Sequence, residues 1–161
     1  HDMQLIQQFA VLNRKAIVDE LVQGMSFRYD LDFTTIHNYI DLDRMILRKG
    51  AISALKGERV LIPLNMRDGS LICEGLGNCD WNYSAPHGAG RVMSRTEARK
   101  KLSLKTLHEM MRDVYTTSIN RETLDESPEA YKPASELIDE IGDTVKLIHR
   151  LRPVYNFKAR D

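Results

Sequence analysis

Residues 82–95 read Asn-Tyr-Ser-Ala-Pro-His-Gly-Ala-Gly-Arg-Val-Met-Ser-Arg. One imidazole, His87, stands between Pro86 and Gly88, with Gly90 close behind. Pro86 fixes its own φ, and glycine opens conformations closed to other residues, so His87 suits neither a helix interior nor a sheet interior. Without Cβ atoms, successive N–H groups can close into a concavity that holds a phosphate. A helix beginning just after would bring its N-terminus close. Arg91, Arg95, Arg99, Lys100, Lys101 and Lys105 are six bases within residues 91–105, against one acid, Glu97. An anion is therefore the natural ligand. An imidazole facing a bound phosphate can serve as general base, metal ligand or nucleophile. The plainer reading, a tight His-Gly turn before a solvated basic helix, stays open on spacing alone.

His37 is the second candidate, in the run Thr-Ile-His-Asn-Tyr-Ile. Strand alternation puts Ile36 and Ile40 on one face and His37 and Tyr39 on the other. A strand is a rigid seat for a metal ligand, and equally for a half-buried, hydrogen-bonded histidine. His108 and His149 fall in helical patterns among charges and read as surface. No two of the five histidines have HxxxH spacing, so no complete metal site is visible. Cys73 and Cys79 form neither a CxxC nor a zinc pattern, and read as free thiols of a reducing cytoplasm.

The elements that position these residues can be read from periodicity. Ile6, Phe9, Ala10, Ile17 and Leu21 recur at helical spacing, so a helix is expected over 3–22 with Gly24 as its stop. A helix beginning so early implies no leader, with His1 marking a scar or a cut from a longer chain. From 32 to 74, short apolar runs (33–40, 45–49, 60–63, 71–73) alternate with turn chemistry, which predicts hairpin-connected strands. Ser94 and Glu97 make a capping box for a helix from about Thr96, and another helix follows Ser103. Ser127-Pro128 reads as an N-cap with proline at the first helical position. Residues 134–151 read as a helix and 154–158 as a final strand. The 161 residues, with a formal net charge of zero, fit one soluble α+β unit over 1–161. No apolar run approaches the roughly 20 residues of a membrane span. Zero net charge argues against coating nucleic acid by overall charge, while leaving room for a local basic patch.

Several motifs occur in a fixed order: His37-Asn38-Tyr39, Arg48-Lys49-Gly50-Ala51, Ile62-Pro63 with Met66 and Ser70, the run His87–Arg95, Ala130-Tyr131-Lys132, and Arg152-Pro153-Val154 with Lys158. In that order and at those intervals the chain resembles the carboxy-terminal part of the RtcB-type RNA-splicing ligases, over essentially its whole length. The resemblance implies a GTP- and manganese-dependent ligase with two Mn²⁺ per complete active site. It joins RNA 3′-phosphate (or 2′,3′-cyclic phosphate) and 5′-hydroxyl ends through a covalent His–GMP. By that resemblance His87 is the nucleophile, His37 a manganese ligand, and Asn38 lies near the nucleotide. Pro63, Leu64, Asn65, Met66 and Ser70 hold the nucleotide. Gly88, Ala89 and Gly90 supply backbone contacts, and Tyr131 and Lys158 line the guanine pocket. Arg91, Arg95 and Arg99 would approach the RNA backbone. An accessory activator protein is a further partner of the kind implied, the expected location is cytoplasmic, and no membrane is involved.

The sequence departs from the family in one loop. A Pro-Gly-Ser/Thr-Met-Gly pattern is replaced by Pro63-Leu64-Asn65-Met66-Arg67. Two small positions become Leu64 and Arg67, and a hydroxyl becomes an amide. That suggests a diverged subgroup, and keeps alive a nucleotide- or RNA-binding relative that does not ligate. The family's other metal ligands lie in an amino-terminal half that these residues do not include.

Overall fold

The computed structural model describes residues 1–158. Its helices are α1 (Asp2–Gly24), α2 (Arg95–Lys101), α3 (Leu104–Met110) and α4 (Ala134–Glu140). Its strands are β1 (His37–Asp41), β2 (Ile46–Ser53), β3 (Arg59–Pro63), β4 (Ser70–Gly75), β5 (Ser84–Pro86), β6 (Tyr115–Thr116), β7 (Val145–Leu151) and β8 (Tyr155–Asn156). The fold is α+β. Two three-stranded antiparallel sheets, ordered β1-β2-β5 and β3-β4-β7, carry it, with a small parallel pair β6-β8.

The alternation of β3 and β4 aims Val60, Ile62, Leu71 and Cys73 inward, where they meet Ile52 and Ala85 of the other sheet and Leu137 of α4. Ile52, Ile62 and Leu71 are almost wholly enclosed, each burial contributing about 1.5–3 kcal/mol. A second cluster joins Met66 to Leu107, Met111, Val114 and Leu124. It anchors the loop after β3 against α3.

The capping box forms as expected: Ser94 accepts from the Glu97 N–H, and Glu97 accepts from the Ser94 N–H. Ser103 caps α3 through the Thr106 N–H. Cys73 and Cys79 are free thiols, and no described helix is long and apolar enough to cross a membrane.

Four expectations need correction. The helix expected over 134–151 ends at Glu140. A 3-10 turn, Ile141–Asp143, follows, and β7 then pairs with β4 from Ser70↔Leu151 to Gly75↔Val145. His149 is therefore an exposed strand residue rather than a helical one. The physical reason is the open edge of β4, whose hydrogen-bonding groups outweigh the weak helical preference of Val-Lys-Leu-Ile. The first strand begins at His37, not at 33; before it, Thr35 Oγ1 accepts from the Leu61 N–H at 2.8 Å and so binds the edge of β3. Pro128 opens only a three-residue 3-10 turn, and the Ser127 hydroxyl makes no cap. The last strand is two residues, Tyr155 and Asn156.

Candidate functional site

The two candidate histidines arrive from different strands of one sheet. β2 lies between β1 and β5, so His37↔Ile52 and Ala51↔Pro86 put both imidazoles at the same end. Their ring centroids are 5.1 Å apart. The pairing of β1 shifts between His37 and Tyr39, and Asn38 sits there at φ 55. The Asn38 side chain pins this bulge: its Oδ1 accepts from the Gly50 N–H at 2.7 Å. The Gly50 carbonyl in turn accepts from the His87 N–H at 3.4 Å. One chain of bonds thus sets both histidine positions.

The same sheet carries a buried cation. Arg48 is 2% exposed. Its guanidinium donates to Tyr39 Oη and Asp41 Oδ2 of β1, to Ser84 Oγ of β5, and to the carbonyls of Asn82 and Tyr83. Asn82 and Tyr83 both hold positive φ, a turn that costs energy for residues other than glycine. Arg48 therefore clamps the strands that deliver His37 and His87.

The backbone after His87 has the alternation an anion cradle needs. The Ala89 N–H is committed to the Pro63 carbonyl at 3.2 Å. The N–H groups of Gly88 and Gly90 donate to nothing among the described residues. The two glycines serve different ends. A Cβ on Gly88 would sit 3.0 Å from the Pro63 carbonyl oxygen, so the close approach of the two loops requires its absence. Gly90 holds φ +74, open to glycine at little cost.

This loop borders a cavity of about 630 Å³, within the roughly 300–1,000 Å³ of small-ligand sites. His87 lines it, together with Pro63 to Met66, Ser70, Gly88 to Arg91, Arg95, Tyr131 and Lys158. Leu64 and Met66 are themselves buried in the two cores, which leaves the backbone of that loop as its contribution. The Asn65 amide is spent locally: its oxygen accepts from the N–H groups of Arg67 and Asp68, and its nitrogen donates to Asp68. His37 and Asn38 do not line this cavity. They face a separate groove of about 810 Å³ between α1 and β1.

Sequence reasoning missed the acids of this site. Asp125 and Glu126 lie in the 3-10 turn Leu124–Glu126. Asp125, 4% exposed, takes an ion pair from Arg99 at 3.2 Å and one from Arg95 at 3.7 Å, and its carbonyl accepts from Arg91. The Glu126 Oε2 accepts from the Tyr131 hydroxyl at 2.7 Å and from Lys158 Nζ at 3.2 Å. Burial acts to raise the Glu126 pKa, but the Tyr131 hydrogen bond and the charges of Lys158 and Arg91 prevail and hold it below the usual carboxyl value. Burial, then the Glu126 contact, pushes Tyr131 up to about 12. Burial alone pushes the Cys73 thiol to about 11, which removes it as a nucleophile at neutral pH. The signal for the acids was the zero net charge. A basic stretch in a neutral chain needs carboxylates elsewhere, and Asp125-Glu126 is adjacent to the Ala130–Lys132 motif.

The geometry defines an α+β fold in which a glycine loop with two undonated N–H groups shares a cavity with an imidazole. Residues 1–159 match the family model described as tRNA-splicing ligase RtcB, and the chain belongs to the RtcB family. It is 34% identical to the RNA-splicing ligase RtcB of Escherichia coli K12, over 95% of this chain and 41% of that protein. It is 29% identical to RtcB2 of Escherichia coli ATCC 25922, over 93% of this chain and 43% of the relative. With the tRNA-splicing ligase RtcB of Aeropyrum pernix it shares 38% identity, over 61% of this chain and 22% of the relative. The chain spans about two fifths of the length of the curated relatives it matches most fully.

Proposed function

We propose that this chain carries the nucleophile and part of the nucleotide pocket of a GTP-dependent RNA ligase, with His87 as the residue that takes the guanylate. The observation that supports it is the sharing of one cavity by His87, the two undonated N–H groups of Gly88 and Gly90, and the Tyr131–Lys158 pair. Two N–H groups aimed at a phosphate stabilise the charge that develops on it during displacement. Free thiols match a reducing cytoplasm.

In the first step an imidazole nitrogen of His87 bonds the α-phosphorus of GTP, the α–β P–O bond breaks, and pyrophosphate leaves with the electron pair. An oxygen of an RNA 3′-phosphate then bonds the same phosphorus, the P–N bond breaks, and the imidazole recovers its pair. Finally a 5′-hydroxyl oxygen bonds the RNA 3′-phosphorus, its proton passes to solvent, and GMP departs. Manganese is the metal that the resemblance implies, and His37 is the donor this chain would offer it. Among the described residues no three His, Cys, Asp or Glu side chains gather to hold a metal. The described residues therefore do not by themselves make a manganese centre.

A second reading, binding without ligation, is favoured by the spent Asn65 amide and the inward-turned Leu64 and Met66. Incubating the complete gene product with GTP labelled at the α-phosphate, then mapping labelled peptides, separates the two. Acid-labile label on His87 supports ligation. Reversible GTP binding with no label supports the second reading.

A further inference from the structure

We propose that Glu126 is the positioning residue for purine choice: its carboxylate holds the Lys158 ammonium and the Tyr131 hydroxyl in fixed orientation within the cavity. This rests on the reading that the cavity takes a guanine nucleotide. The tie joins three separate segments. Glu126 lies in the turn Leu124–Glu126, Tyr131 follows the turn Pro128–Ala130, and Lys158 follows β8. One oxygen, Oε2, receives both the hydroxyl and the ammonium. The other, Oε1, lies 3.8 Å from Arg91 and 3.9 Å from Arg95.

Lys158 is held at both ends. Its N–H donates to Ser118 Oγ at 2.9 Å, and its carbonyl lies 3.2 Å from the same hydroxyl. With its main chain bound to Ser118 and its ammonium bound to Glu126, the side chain has one direction. An ammonium has three donors, so two remain to serve a ligand. Tyr131 is equally committed: its hydroxyl donates to Glu126 and accepts from Arg91 Nη1 at 3.1 Å. Its proton is spent, and what it offers the cavity is a lone pair.

The cavity thus presents fixed donors beside a fixed acceptor. Guanine's O6 acceptor stands beside its N1–H donor, whereas adenine's N6 donor stands beside its N1 acceptor. The held ammonium donates to O6 and the held phenol oxygen accepts from N1–H, while adenine meets the first donor to donor and the second acceptor to acceptor. Without Glu126 the ammonium swings free and the phenol regains its proton for the cavity, so both bases become tolerable. The low pKa of Glu126 keeps this carboxylate charged at neutral pH.

Equilibrium titration of the complete gene product with GMP and with AMP tests this. Glu126→Ala should narrow the GMP:AMP preference by about tenfold or more, mainly by weakening GMP. Glu126→Gln, whose amide oxygen can accept from both partners, should stay within about threefold of wild type. The Tyr131 ionisation, read by near-ultraviolet absorbance against a Tyr131→Phe background, should fall in the alanine variant from about 12. Glu126→Leu serves in place of alanine should the smaller side chain unfold the turn. An unchanged GMP:AMP ratio, equal weakening of both nucleotides, or a wild type that binds neither would overturn the inference. Wild type that selects GMP but forms no guanylate adduct at His87 when given GTP, with selectivity lost in Glu126→Ala, supports the inference and overturns the ligase reading. Labelled His87 with selectivity untouched by Glu126→Ala does the reverse.

Discussion

The two histidines are 5.1 Å apart, yet the regions on either side of them are built differently. On the His87 side, Glu126 ties Tyr131 to Lys158, Asp125 gathers three arginines, and the loops meet at Gly88 and Pro63. On the His37 side stands α1, which buries none of its residues. Ile6, Phe9, Ile17 and Leu21 are all more than half exposed, and its side-chain bond to the strands is Gln7 Oε1 accepting from the Ile40 N–H. A dense polar network orients its members before a ligand arrives, which lowers the ordering cost of binding. The exposed apolar helix α1 adds no comparable network on the His37 side among the described residues. Within these residues the cavity beside His87 is therefore ordered by side-chain ion pairs, whereas His37 is placed by its sheet and not by α1, although one sheet carries both histidines.

The comparison breaks most completely at His87. His87→Ala should abolish covalent guanylate altogether while leaving the thermal unfolding of the protein nearly unchanged, because a half-buried, glycine-flanked imidazole contributes little packing. Persistence of an acid-labile adduct in that variant, by intact mass, would move the nucleophile elsewhere. Next in size is Arg48, which belongs to both sides. Arg48→Met leaves Asp41 with Arg44 as its charged partner and unpairs the Asn82 and Tyr83 carbonyls, and should cost about 1–3 kcal/mol in urea unfolding. A loss under about 1 kcal/mol would mean the clamp is ornamental.

Lys158→Ala probes the ordered side directly. It should weaken GTP by roughly ten- to hundred-fold, about 1.5–3 kcal/mol for one charge-assisted bond, and ATP much less. Equal losses by calorimetry would place the lysine outside base recognition. Acid stability gives a smaller effect. Glu126 titrates below the ordinary 4.5 in the folded protein, so its contribution is fully present above that value and fades as pH falls through the folded pKa. Glu126→Gln should remove that fading contribution. The wild-type advantage, a fraction of a kcal/mol after allowance for solvent, should be present at neutral pH and vanish in acid unfolding curves. The smallest effect belongs to the other side: Mn²⁺ titrated into the 161-residue chain should give no stoichiometric heat, since one imidazole is far from a full shell. A tight one-to-one isotherm would show the His37 side to be more complete than its described residues indicate.

Local chemistry made much of this molecule legible. His-Gly-Ala-Gly announces a loop of close backbone approach, because glycine backbone geometry is a property of residue type, and Gly88 meets the Pro63 carbonyl where a Cβ would crowd it. The Ser94–Glu97 box and the Ser103 cap could be read because capping depends on residues three apart. Hairpin strands β3 and β4 followed from alternation bounded by turn residues. The residues 145–151 could not be read that way, since whether Val-Lys-Leu-Ile extends a helix or pairs as a strand is decided by the free edge of β4, some 70 residues earlier. The same holds for the acids. Asp125 and Glu126 stand 26–35 residues from the arginines they bind and 32 from Lys158, so only folding brings them into one site. Ordered pairing across such separations depends on the paths of intervening strands and turns, and residue type alone carries no record of those paths.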